Sequence, residues 1–133
     1  MRFETVIRNG IVVDGTGNPW IRADVGVANG KITKIGKIET NQAEETIDAT
    51  GLIVAPGFID IHDHSDFTIL AAPTAESKIT QGVTTIVNGN CGSSAAPLLD
   101  MAAEETKAVP ESYGVALNWS TLSGYAETLQ NAR

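Results

Sequence analysis

His62 and His64 stand one residue apart in "APGFIDIHDHSD", among Asp60, Asp63 and Asp66, and the stretch runs on from an apolar segment. On an extended strand, residues two apart project from one face. Asp60, His62 and His64 then line up, while Ile59, Ile61 and Asp63 face the other way. Two imidazoles about 7 Å apart, at ~3.3 Å of rise per residue, can converge on one metal ion. The same His-x-His pattern also occurs on solvated strands that bind nothing. Context favours the metal, because a polar face on an otherwise apolar strand is costly to bury unless a ligand or partner satisfies it.

Cys91, in "NGNCGSS", follows the next β-prone run. A solitary cysteine reads either as a small buried hydrophobe or as a ligand. Gly89 and Gly92 favour the ligand, since they let the backbone bend tightly around a thiol, and a thiolate beside a cation is a strong zinc ligand. Asp60 and Asp66 read equally as acceptors for imidazole N–H groups, which would orient the histidines, or as solvated carboxylates. Asp63 is expected to face outward, away from a metal.

These residues need elements to hold them. From Leu52, "GLIVAPGFIDIH" is apolar at nearly every position, the pattern of a strand buried on both faces of a parallel sheet. A helix is expected over Thr74 to Gln81, closed by Gly82 at the position after its end. "VTTIVNGN" supplies the second strand. Strand, helix, strand makes a βαβ unit with a right-handed crossover. His62, His64 and Cys91 would then share the carboxyl edge of a parallel pair, where α/β folds place their active sites. Further on, Pro97 could open a helix through "PLLDMAAEETKA". Leu122, Tyr125, Ala126 and Leu129 fall at i, i+3, i+4 and i+7, one apolar face of an amphipathic helix.

Residues 1–51 read differently. "FETVIRNGIVVDG" and "ADVGVANGKITKIGK" each set Asn-Gly between short β-prone runs, and Asn-Gly tolerates the positive φ angles of a type I′ turn. Two hairpins of a meander are expected, at Asn9-Gly10 and Asn29-Gly30. The polar patch "ETNQAEET" separates them from a last strand around Ile47. The shift in composition near Gly51 marks a domain boundary, giving an α/β chain with domains at 1–51 and 52–133.

Composition bounds the partners. The 133 residues are 42% hydrophobic and 19% charged, ordinary for a globular protein. Nine basic against sixteen acidic residues give a net charge of -7, which repels phosphate backbones, so nucleic acid is disfavoured. No apolar run approaches the ~20 residues of a membrane span, and the N-terminus lacks the apolar region of a secretion signal. With a single cysteine and so no internal disulfide, a cytoplasmic location is expected.

"PGFIDIHDHSD" resembles the first-strand signature of the amidohydrolase superfamily, and "KITQGVTTIVNGNCGSSAAPL" is similar to the segment that marks the N-acyl-D-amino-acid deacylases, or D-aminoacylases. The resemblance implies a TIM barrel with a small β-sandwich. Residues 1 to about 51 would supply the N-terminal part of the sandwich, and residues 52–133 the first two βα units of the barrel, which typically needs ~250 residues. It implies that His62 and His64 contribute to the more weakly held metal position and that Cys91 helps hold the tight zinc. Asp63 stands where threonine or serine is commoner in the family. The family's two further histidines and catalytic aspartate are expected beyond Arg133.

The activity implied is zinc-dependent hydrolysis of an N-acyl-D-amino acid to a carboxylate and a D-amino acid. The small-molecule substrate would be bound only with the remainder of the parent chain, and this chain alone is expected to be inactive. A cyclic-amide hydrolase of the hydantoinase or dihydroorotase kind is the alternative enzyme, disfavoured by Cys91. A non-catalytic assembly module is the alternative outside enzymes.

Overall fold

In the computed structural model, which describes residues 2–39 and 42–132, the chain divides into two units, Met1–Pro56 and Gly57–Arg133. In the first, β1 (Phe3–Val12) is central. It pairs antiparallel with β2 (Ile21–Ala28), which pairs antiparallel with β3 (Lys31–Gly36). On β1, β4 (Ala43–Asp48) and then β5 (Ile53–Val54) run parallel, so the sheet is not a simple meander. The expected polar patch overlaps β4 from Ala43 onward; its Thr40 and Asn41 lie outside the described residues.

Only one of the two Asn-Gly pairs is a hairpin turn. Asn29 and Gly30, at φ 53° and 67°, join β2 to β3, and the Glu4 carboxylate accepts from both of their backbone N–H groups. Asn9-Gly10 instead lies inside β1, where Asn9 has φ 61° and the register with β2 slips between Ile7 and Gly10. The same tolerance of positive φ serves a bulge here. Asp24 accepts from the Asn9 N–H and the Asn9 side chain donates to Asp48, so the bulge is bonded on both sides. Gly10 also lets β5 approach: a Cβ there would meet Val54 at 2.5 Å. Phe3, Val6, Ala28 and Ile38 form the core, and the Phe3 ring fills the space that a side chain at Gly26 would need. Burying such a side chain contributes about 1.5–3 kcal/mol.

The second unit holds the parallel pair. β6 (Phe58–Asp60) and β7 (Val83–Ile86) are joined through α1 (Thr68–Ala71) and α2 (Glu76–Ile79), giving the expected strand, helix, strand order. The continuous buried strand does not form. Pro56 lacks an N–H and interrupts the ladder, so Ile53–Val54 joins the first sheet and β6 starts anew at Phe58. Nor is β6 buried on both faces: Phe58, Ile59 and Ile61 are 64%, 63% and 75% exposed, because its sheet has two strands among the described residues.

Helix α2 is shorter than the expected Thr74–Gln81, but Gly82, at φ 78°, closes that turn by donating to the Ile79 carbonyl. Pro97 does not open a helix. Leu98 N–H donates to the Ser120 carbonyl instead, which draws this segment away, and α3 (Asp100–Thr106) begins later, followed by α4 (Ala108–Ser112). The last helix, α5 (Leu122–Asn131), is capped by the Thr121 hydroxyl, which accepts from Gly124 N–H. Its inward face is narrower than expected, since Leu122 and Ala126 are exposed and Tyr125 is buried.

Tyr125 packs at a tilt against Trp119, with ring centroids 5.4 Å apart, within a core that includes Phe67, Ala95, Leu98 and Val115. The Trp119 indole donates to the Ala95 carbonyl at 2.7 Å, and the Tyr125 hydroxyl donates to the Asp66 carbonyl at 2.6 Å. That second bond anchors the segment just past His64. Burial, with the nearby Asp66 charge, pushes the Tyr125 hydroxyl up to about 12, so it stays a donor at neutral pH. No helix among the described residues is long and apolar enough to cross a membrane.

Candidate metal centre

Because β6 and β7 are parallel, their carboxyl ends share an edge, and the segments leaving both strands begin there. The ladder continues beyond the strands: Val87 N–H donates to the Asp60 carbonyl at 2.8 Å and Asp63 N–H to the Val87 carbonyl at 3.2 Å. Asn90 closes the gap, its side-chain amide donating to the carbonyls of Asp63 and Val87 at 3.1 and 2.7 Å. The two segments are thus laced together on either side of the expected site residues.

His62, His64 and Cys91 come together at this edge. His62 Nε2 lies 3.2 Å from Cys91 Sγ, the imidazole centroids are 5.3 Å apart, and one ligand atom from each residue falls within 4.8 Å of the others. All three are exposed, so Cys91 is not the small buried hydrophobe that a lone cysteine could have been. It sits at φ 55°, followed by Gly92 at 77° and preceded two residues earlier by Gly89 at 82°, so left-handed residues on both sides of Asn90 bend the loop that carries the thiol. A non-glycine residue in that region costs of order 1–3 kcal/mol and persists only where its surroundings enforce it.

The route to this arrangement differs from strand alternation. β6 stops at Asp60 and the backbone bends at Ile61 and His62, so the histidines lie on a loop past the strand. Alternation ends with the strand, which explains the correction at Asp63. Its side chain does not face outward but is 5% exposed, accepting from Ser65 N–H at 2.6 Å and from the Lys78 ammonium. Asp60 accepts from His62 backbone N–H at 3.2 Å and from Lys78 at 2.9 Å rather than from an imidazole. Asp66 is buried, and its backbone carbonyl takes the Tyr125 hydroxyl.

The charges follow from these bonds. The Lys78 ammonium, aided by His62 N–H, holds the Asp60 carboxyl below the usual carboxylate range. At Asp63 burial pushes upward, but the hydrogen bonds from Lys78 and Ser65 outweigh it and the net displacement is downward. Asp63 and then Asp60 raise the ammonium of Lys78 in return. Sequence reading missed Lys78, because no linear spacing ties it to the histidines. The one available signal was the βαβ crossover, which packs α2 against β7 and brings the Lys78 side chain to Asp60 on the neighbouring strand.

Residues 45–131, more than half of the chain, match the amidohydrolase family. The chain belongs to that family. Residues 2–59 also match the N-terminal domain of the urease alpha-subunit. Among amidohydrolase relatives, an N-acyl-D-glutamate deacylase of Alcaligenes xylosoxydans xylosoxydans is 47% identical over 96 residues, 72% of this chain and 20% of that protein. A D-aminoacylase of the same organism is 46% identical over 96 residues, with the same coverage.

The crystal structure of Bordetella bronchiseptica N-acyl-D-glutamate deacylase, complexed with zinc and a phosphonate mimic of the tetrahedral intermediate, matches with a TM-score of 0.86 at 39% identity. The match covers 100% of this chain and 28% of that one. A D-aminoacylase crystal structure matches at 0.78 and 38% identity, covering 96% and 27%. This amidohydrolase chain therefore spans about a fifth of its curated relatives and about a quarter of the solved ones. The likeness supports the α/β class and a sheet-rich N-terminal region with the fold of these deacylases.

Proposed function

We propose that this chain supplies the first metal-binding strand pair of a zinc-dependent hydrolase that cleaves N-acyl-D-amino acids to a carboxylate and a D-amino acid. The observation that carries the reading is the convergence of His62, His64 and Cys91 within 4.8 Å at the carboxyl edge of the parallel pair.

The donor set fits zinc. Two imidazole nitrogens and one thiolate are the borderline and soft donors that select it over magnesium or calcium. Bonds of ~2.0–2.3 Å in a tetrahedral shell place neighbouring ligand atoms about 3.3–3.7 Å apart. The 3.2 Å between His62 and Cys91 is close to that spacing, and His64 offers a ligand atom within 4.8 Å of both. Three protein donors leave room for water or substrate, as a catalytic rather than a structural zinc requires.

Zinc, when bound, supplies a Lewis acid that polarises an acyl carbonyl and acidifies water. His62, His64 and Cys91 hold it in place, while Asp60 and Asp63, engaged by Lys78, do not compete as ligands. Asp60 also fixes the His62 backbone. By the family resemblance, proton transfer from water to the leaving nitrogen belongs to an aspartate with no matching position among these 133 residues.

A chimera tests this. The segment of D-aminoacylase that this chain matches is replaced by the present sequence, and hydrolysis of N-acetyl-D-amino acids is assayed beside the L enantiomers and a hydantoin. The zinc-loaded chimera is expected to hydrolyse the linear D substrates, and its His64→Ala variant to lose most of that rate. A folded, zinc-loaded chimera that opens the cyclic amide instead, or is inert to N-acyl-D-amino acids, would refute the assignment.

A further inference from the structure

Lys78 is the one cation bonded into the metal-site loops among the described residues, and neither ligation nor proton transfer accounts for it. It lies on α2, in the crossover between β6 and β7, with its side chain 23% exposed. Its ammonium meets two carboxylates, Asp60 at 2.9 Å and Asp63, whose side chain is 4% exposed. A carboxylate so enclosed is costly without a compensating charge.

Both carboxylates lead to the ligands. Asp60 accepts from the His62 backbone N–H, and so pins the bend that carries His62. Asp63 stands between the two histidines. Its N–H reaches the Val87 carbonyl and its carbonyl accepts from Asn90, the residue before Cys91. A shift of Asp63 would therefore move the histidine loop and the cysteine loop relative to each other.

We infer that Lys78 is a positioning residue for the metal centre: by clamping Asp60 and Asp63 it sets the approach of His62 and His64 to Cys91. This rests on the metal-site reading given above. Lys78 touches neither metal nor substrate in this role. Its contribution is to hold three donors at a spacing that one ion can use, and residues bonded behind metal ligands typically carry ~10–100-fold in metal affinity.

Cobalt(II) titration of the 133-residue chain tests the inference, with cobalt standing in for spectroscopically silent zinc. The thiolate-to-cobalt charge-transfer band reports Cys91, and the visible d–d bands report the coordination geometry. Lys78→Met should bind cobalt about 10–100-fold more weakly and, at saturating metal, show a diminished thiolate band. Lys78→Arg, which keeps a cation able to bridge both carboxylates, should recover most of the affinity and the band.

A role confined to stability would leave the saturated spectrum of Lys78→Met unchanged, and that result overturns the inference. If Lys78→Met fails to fold by circular dichroism, the double variant Lys78→Met/Asp63→Asn removes the stranded charge and carries the same test. Wild-type affinity and spectrum in the folded double variant overturn it as well. If the wild-type chain itself gives no thiolate band, the metal-site reading fails and the inference goes with it, whereas a failure confined to the Lys78 variants leaves that reading intact.

Discussion

Replacing Cys91 by alanine should weaken zinc binding by about 100-fold or more, beyond the ~10–100-fold typical of residues that only support a ligand. The thiolate is the one anionic donor among the three converging side chains, and its Sγ lies 3.2 Å from His62 Nε2. No second thiolate can take its place, because the sequence has no other cysteine. The substitution is also clean in backbone terms. Cys91 sits at φ 55°, where cysteine and alanine carry the same Cβ penalty, so the loop conformation costs about the same in both. Competition titration against a chromophoric chelator measures the difference. Equal zinc affinity in the two proteins would remove Cys91 from the site.

A comparably large effect is expected in association. The chain alone should not be a monodisperse monomer at micromolar concentrations. Phe58, Ile59 and Ile61 are exposed on and beside a two-stranded sheet, Ile79 and Val87 are exposed on the same unit, and Ile32, Ile35 and Ile53 are exposed on the first. Monomeric proteins seldom leave that much apolar surface in water, and a two-stranded sheet is marginal without a covering layer. Its unpaired edges invite addition of further strands. Light scattering should report oligomers, and the double variant Ile59→Lys/Ile61→Lys should shift the distribution toward monomer. A monodisperse wild-type monomer would contradict this account of the exposed faces.

The convergence of His62, His64 and Cys91 was legible because its signals are local: His-x-His after an apolar run, and a cysteine flanked by glycines after the next strand, both point to the carboxyl edge of a parallel pair. The turn at Asn29-Gly30 was legible for the same reason. Asn9-Gly10 was not, because positive φ serves a bulge as readily as a turn, and the choice was made by Asp24 and Asp48, far away in sequence. Pro56 was overlooked as a break within an apolar run, although its missing N–H is what separates β5 from β6. Lys78 and the burial of Asp63 were invisible for a deeper reason. They depend on α2 packing against β7, which brings Lys78 within reach of Asp60 and Asp63, and on a bend at Ile61 that ends the strand's alternation, both of which are tertiary facts. Tyr125 was read as part of an apolar face, but its hydroxyl bond to the Asp66 carbonyl also ties the last helix to the segment after His64.

The central claim is that His62, His64 and Cys91 hold one zinc ion through nitrogen and sulfur together. X-ray absorption at the zinc edge of the loaded chain reads this directly. The account predicts a first shell with a sulfur scatterer at ~2.3 Å beside imidazole nitrogens at ~2.0–2.1 Å, the sulfur vanishing in Cys91→Ala. A wild-type shell of nitrogen and oxygen alone, with no sulfur, would contradict it.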